Sequence, residues 1–106
     1  MNEVGDLKKV KTFKLTNGDE VVTYDAKKPS EGKYTARAPL GLGINPVNGE
    51  MQLMPYIFTA KAALNQVKFE PSVSSVLALE ITDEDIAKEY LAMIGLEKSR
   101  IVTLNG

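Results

Sequence analysis

The chain has 106 residues, 13 Lys or Arg and 14 Asp or Glu, for a formal net charge of −1, with 43 % apolar and 25 % charged residues. That is the composition of one ordinary globular domain, long enough to build a core without staples. The chain holds no Cys, His or Trp, which removes disulfides, thiolate nucleophiles, Cys- or His-ligated metal sites, imidazole bases and Ser-His-Asp triads.

Residues 1–9 read either as a short helix or as a frayed end. Residues 10–16 are β-rich, with Phe13 and Leu15 on one face at period two. Asn17-Gly18 then separates them from a second β-rich run, residues 19–26. Asn-Gly in that position predicts a tight hairpin with both turn residues at positive φ. Residues 27–32 (KKPSEG) read as a polar loop punctuated by Pro29 and Gly32. Residues 33–40 resume as a strand carrying Tyr34, Ala36 and Ala38 on one side, with Pro39 marking a bend or an edge. Residues 41–50 are turn-rich and return through Asn48-Gly49 into a strand at 51–58, which Pro55 interrupts. Residues 59–64 read as a short helical turn capped by Thr59 or as the tail of a strand. Residues 65–70 alternate, with Val67 and Phe69 on one face, and 73–81 form a further β-rich run.

The period then switches to 3.6. Thr82 is the predicted N-cap, with Asp85 at the capping-box position and acidic residues in the first turn. Ile86, Tyr90, Met93 and Ile94 form an apolar stripe, and Gly95 is the predicted C′ residue. Residues 101–104 add a strand or pack loosely. Short strands in hairpin order with close turn signals predict a mainly β fold: one domain over 1–106, a small barrel over about 10–81, and a C-terminal α-helix over about 83–94.

Carboxylates, Lys, Tyr and Ser/Thr are the side chains left for acid–base or metal chemistry. The acidic group Glu80, Asp83, Glu84, Asp85 and Glu89 lacks calcium-loop spacing and is explained by helix capping. The glycines at 41, 43 and 49 precede no Gly-Lys-Ser/Thr and explain a tight turn. No catalysis, metal or cofactor is expected; a carboxylate-only enzyme is the remaining catalytic alternative. The candidate contacts are cationic. Lys8, Lys9, Lys11 and Lys14 are placed to touch phosphate. Lys27, Lys28, Lys33 and Arg37 lie on or beside the loop after the second strand, and Tyr34 and Arg37 offer flat groups for base stacking. Residues 1–37 carry eight basic and six acidic residues, and 38–106 carry five and eight, so neither half is a polybasic arm. The first fourteen residues hold no apolar core segment, and the longest uncharged apolar run, 90–96, is far below the roughly twenty residues of a membrane span. A soluble, cytoplasmic protein without a membrane partner is expected.

The segment FKLTNGDEVVTYD, residues 13–25, resembles the first motif of Sm-like proteins (the Sm, LSm and Hfq group). That motif has alternating apolar residues, Leu-x-x-Gly, and an apolar residue three positions on, filled here by Phe13, Leu15, Gly18 and Val21. The segments YTARAPLGL and MQLMPY look still more like the Sm-like proteins of tailed phages, including those infecting cyanobacteria, in which a strand ends in Pro-Leu and a later one carries Leu-x-Pro. The resemblance covers about residues 10–92. It implies a strongly bent five-stranded antiparallel barrel whose open edge strands pair between subunits into a ring, and single-stranded RNA bound at the inner rim. A phage-encoded chain would work in the host cytoplasm. The chain departs from the family pattern at Thr23 and Asp25. It has no Asp-x-x-Met-Asn in 26–33, and it has Glu70-Pro71-Ser72 in place of Arg-Gly. The uridine pocket therefore does not carry over. The resulting expectation is a non-catalytic Sm-like ring of the ribonucleoprotein type that binds RNA through Lys27, Lys28, Lys33, Tyr34 and Arg37. The alternative is an interaction or assembly scaffold that does not bind RNA.

Overall fold

The computed structural model describes residues 5–57 and 59–95. The predicted strand at 101–104 lies outside them. The chain opens with a 3-10 turn, Leu7–Lys9, capped by the Asp6 carboxylate, which accepts a hydrogen bond from the Lys8 amide at 2.9 Å. It continues through β1 (Val10–Leu15), β2 (Glu20–Ser30), β3 (Lys33–Ile44), β4 (Met51–Pro55), β5 (Lys68–Phe69), β6 (Val76–Ile81) and the single helix α1 (Glu84–Ile94). The strands form one antiparallel sheet in the order β4-β3-β2-β1-β6, with β5 pairing separately to β3. The fold is thus mainly β with one C-terminal helix, as expected. The sheet path is open rather than closed, with β4 and β6 at its two ends.

Turn chemistry sets the hairpins. Leu15 and Asp19 close the first one, the Leu15 amide donating to the Asp19 carbonyl at 2.9 Å and the Gly18 amide to the Leu15 carbonyl at 3.0 Å. Gly18 has φ 96° while Asn17 is not among the positive-φ residues. The predicted hairpin is there, but as a three-residue loop in which only the last residue needs the left-handed region. The second hairpin corrects the expected polar loop at 27–32. β2 runs on to Ser30, and the turn is the two residues Glu31 and Gly32, both at positive φ. Pro29 fits inside this strand because β1 pairs β2 only as far as Tyr24, so the arm beyond has β3 on one side alone. A proline there forfeits no ladder bond on the free side.

Three register shifts bend this long hairpin. Val22 pairs with Leu40 and Tyr24 with Arg37, which leaves β3 one residue too many; Tyr24 to Lys27 then faces Arg37 to Thr35, and Lys27 to Ser30 faces Thr35 to Lys33, each of which leaves β2 one too many. The residues in the bulged stretches include Ala38 (φ 57°) and Asp25 (φ 58°). A bulge inserts an unpaired residue and increases the local twist. It also corrects the predicted face. Tyr34 and Ala36 pack together on one side, whereas Ala38 joins the cluster on the other.

The sheet is buried on both faces. On one, Val10, Val22, Tyr24, Leu40 and Leu53 pack against Ala87, Tyr90, Leu91 and Ile94 of α1. On the concave side, Phe13, Leu15, Val21, Ala36 and Phe69 form a second cluster. The apolar stripe of α1 is therefore rotated from the predicted one: Ala87 and Leu91 face the core, and Met93 is 37 % exposed. The helix begins one residue later than the sequence suggests. Asp83 caps it, accepting from the Asp85 and Ile86 amides at 3.1 and 3.3 Å. Thr82 is held to the sheet instead, its amide bonded to the Val10 carbonyl and its hydroxyl 2.8 Å from that of Thr12. Gly95 ends the helix in the left-handed conformation, as predicted.

Candidate functional site

Of the predicted cationic residues, Lys8 and Lys9 lie in the opening 3-10 turn and Lys11 and Lys14 on β1, whereas Lys27, Lys28, Lys33 and Arg37 fall on the β2–β3 hairpin, but not on one surface. Lys27 pairs with Asp25 at 3.2 Å, and Lys33 with Glu70 at 3.0 Å. Lys28 is exposed. Tyr34 is partly buried in the concave cluster, its ring meeting Phe13 edge-on at 5.3 Å. Arg37 lies on the opposite, helix-bearing side. Its guanidinium stands 5.0 Å from the centroid of the Tyr24 ring and donates to the Asn65 carbonyl at 3.0 Å. The hairpin therefore brings Lys27, Lys28 and Lys33 onto one arm. It separates Tyr34 from Arg37 and engages both rings and guanidinium in packing. The neighbouring acids Asp25, Glu31 and Glu70 leave that arm close to neutral.

The features that the sequence reading did not single out lie at the sheet edges. On β6, Leu77 is 67 % and Ile81 69 % exposed; at the other edge Met51 of β4 is 57 % exposed beside its partner Ile44 of β3 at 64 %. The signal was present in 76–81, whose apolar residues occupy both parities and so exceed what one buried face takes up. Leu77 sits where β6 slips against β1, between the pairs Leu15–Val76 and Lys14–Ala78. It is the extra residue of a bulge.

The concave cluster is chained by aromatic contacts: Tyr34 to Phe13, Phe13 to Phe69, and Phe69 to Tyr56, all edge-on with centroids 5.3 to 5.9 Å apart. At its rim the Tyr56 hydroxyl donates to Asp19 Oδ2 at 2.8 Å and ties the end of β4 to the first hairpin. Burial, above all, raises the Tyr56 phenol above its ordinary value; the Asn17 side chain opposes this and Asp19 adds to it. Gly41 lies beneath this ring: a Cβ there would stand 3.2 Å from the Tyr56 edge, so the ring would have to give by a few tenths of an ångström.

Among the described residues, no group of three or more acidic side chains is placed to hold a metal ion. Asp83 is spent on the helix cap and Glu84 pairs with Lys88 at 3.0 Å. Nor is any helix of the described residues long and apolar enough to cross a membrane. A scan of family models finds no match to the chain, and a search of curated proteins finds no significant one.

Proposed function

We propose that this chain is a non-catalytic assembly module that associates with copies of itself, edge strand to edge strand, as an Sm-like ring protein does. One observation carries the reading: the open sheet path ends in two strands, β6 and β4, whose exposed apolar side chains stand at the edges. An edge strand carries unpaired backbone donors and acceptors, and nature blunts, covers or pairs it. Leu77 and Ile81 do not blunt an edge; they reward its pairing. A heterologous contact between two different edges closes into a ring when the rotation permits.

The Sm-like barrel is favoured by the path of residues 67–81. The Ala38 amide donates to the Val67 carbonyl and the Tyr34 amide to the Pro71 carbonyl, so this segment runs beside β3. After a single 3-10 turn, Val73–Ser75, it joins β1 as β6. The curl of the sheet is thus spanned by the covalent chain. Light scattering coupled to size exclusion tests the assembly. The expected mass is a multiple of 11.6 kDa, reduced to one copy by Leu77→Glu or Ile81→Glu. A single-copy mass for the unmodified chain at all concentrations would sink the proposal.

Exposed Lys28, next to Lys27, supports a second reading, in which the ring holds single-stranded RNA through phosphate contacts. Binding of that kind falls steeply with salt and is indifferent to sequence. Titration with uridine- and adenosine-rich RNAs at two salt concentrations, with Lys27→Gln/Lys28→Gln as the comparison, tests it. Absence of binding at low salt removes RNA and leaves the scaffold.

A further inference from the structure

α1 covers only part of its face of the sheet. Beside it lies an open trough of about 350 Å³, floored by a row that crosses four strands: Ala78 of β6, Lys14 of β1, Glu20 of β2 and Leu42 of β3, with Ile86 of α1 on the near side. This row is one pleat, roughly 7 Å, beyond Thr12, Val22 and Leu40, of which Val22 and Leu40 pack with α1. The trough runs alongside the helix, because α1 also crosses the strands: it starts just after Ile81 of β6, and the Tyr90 hydroxyl reaches the Ala38 carbonyl of β3 at 2.6 Å. Glu20 and Leu42 also line a second cavity of about 230 Å³, which carries the groove on to the exposed side chains of Ile44 and Met51. The acids along this groove are Asp19, Glu20, Glu80 and Asp83. Its lining cation, Lys14, is already 3.7 Å from Glu20. Glu80 and Asp83 form no ion pair among the described residues.

We propose that this groove docks an amphipathic helix of a partner protein, apolar on the face toward the sheet and rich in Lys or Arg on its flanks. The direction of the groove selects a helix. It crosses the strands, so an extended segment lying in it would meet side chains, not a sheet edge, with its backbone amides, whereas a helix satisfies its own. The width agrees: neighbouring helices pack about 8–10 Å apart, close to the offset of this row from the one beneath α1. The length agrees as well. From Ala78 of β6 to Met51 of β4 the sheet crosses β1, β2 and β3, a distance of about 19 Å, or about three and a half helical turns. The chemistry sets the partner's character. Ala78, Leu42 and Ile86 ask for apolar side chains, and Glu80 and Asp83 beside them ask for cations. A second copy is a poorer match, because its own exposed apolar arm, Ile44, Val47 and Met51, lies in a stretch with no Lys or Arg between Arg37 and Lys61. The docking goes beyond the proposed edge pairing and does not depend on it, since it uses a face of the sheet.

Two synthetic helical peptides of about 14 residues serve as probes. Both carry Leu at positions i, i+3, i+4 and i+7; one has Lys at the remaining positions and the other has Glu. The methyl resonances of the full chain are followed as each peptide is added. The Lys peptide is expected to shift Ala78, Leu42 and Ile86 and to leave Leu15, in the concave cluster, in place. Glu80→Lys, at an exposed position, is expected to weaken its affinity about tenfold. Glu31→Lys makes the same charge change at the far hairpin tip, more than a Debye length away, and is expected to weaken it less than about twofold. No shift at about 1 mM Lys peptide overturns the proposal. Equal binding of the Glu peptide overturns it by removing the charge match. An equal loss in both variants overturns it by showing diffuse attraction to acidic residues anywhere on the chain. Shifts of the same methyl groups with protein concentration, before any peptide is added, assign the groove to a second copy and overturn it as well.

Discussion

On one face of the sheet, α1 lays Ala87, Tyr90, Leu91 and Ile94 over Val10, Val22 and Leu40; on the other, Phe13 is enclosed edge-on by Tyr34 and Phe69. The two faces solve the same problem with different means. A helix brings a whole layer of side chains at once, but its length sets how much sheet it covers, and here a trough remains beside it. The concave face is filled by large rings delivered from the sheet's own curl, which suits a space too shallow for a helix. The polar atoms differ as well. The Tyr90 hydroxyl is buried and depends on one acceptor, the carbonyl of the bulge residue Ala38. The Tyr56 hydroxyl sits at the rim and finds a carboxylate, Asp19.

The sharpest way to break the concave face is Phe13→Ala. It removes the ring at the centre of the aromatic chain and leaves a cavity. The expected cost is about 3–5 kcal/mol, a large share of the roughly 5–15 kcal/mol that holds such a domain together. Urea unfolding reads it directly. A cost below about 1 kcal/mol, the range of a tolerated core swap, would show that the rings merely line the space.

On the helix-bearing face the corresponding test is Tyr90→Phe. Shape is kept, but the Ala38 carbonyl loses its donor inside the core, at an expected cost of about 1–3 kcal/mol. This face should also respond to alkali. Burial pushes the Tyr90 phenol well above its ordinary value of 10.0, with Arg37 opposing and Tyr24 adding. The folded state therefore favours the protonated phenol more than the unfolded chain does. The contribution is whole below about pH 10 and is lost as pH rises beyond it. The urea midpoint followed from neutral pH upward should decline above that point, and less steeply in Tyr90→Phe; equal slopes would detach Tyr90 from the alkaline loss.

A smaller effect is expected at the cap. Asp83→Ala leaves the Asp85 and Ile86 amides without their acceptor and should cost about 1 kcal/mol, whereas Asp83→Asn should retain most of it. Equal losses in both would point to charge rather than hydrogen bonding. Smallest of all is Lys33 with Glu70, a half-exposed pair joining the hairpin arm to the segment after β5. A double-mutant cycle should give about 0.2–1 kcal/mol, shrinking in salt.

Much of the fold was legible in local chemistry. Asn17-Gly18 marks a hairpin, the run Ile86 to Ile94 marks a helix, and Gly95 marks its end. These signals act within a few residues, so they survive without a partner. The arm 27–30 was not legible. Lys27, Lys28 and Pro29 carry no strand propensity, and they are extended only because β3 pairs beside them. Of the candidate site, the lysines were visible as charges. That Lys27 and Lys33 are paired with acids, and that Arg37 is turned onto Tyr24, depends on partners up to 37 positions away.

The sequence alone determined an antiparallel, mainly β chain closed by one capped helix, and a chemistry without thiol or imidazole. Only the tertiary structure decided which face each residue serves. The bulges at Asp25 and Ala38 reverse the alternation midway along β2 and β3, so Ala36 and Ala38 end on opposite sides of the sheet. Alternation predicts a face only while the register is unbroken, and a register break belongs to the pair of strands rather than to either one. The same holds for the edges: Leu77 and Ile81 became exposed because β6 was the last strand in the sheet, a position that no window of sequence contains.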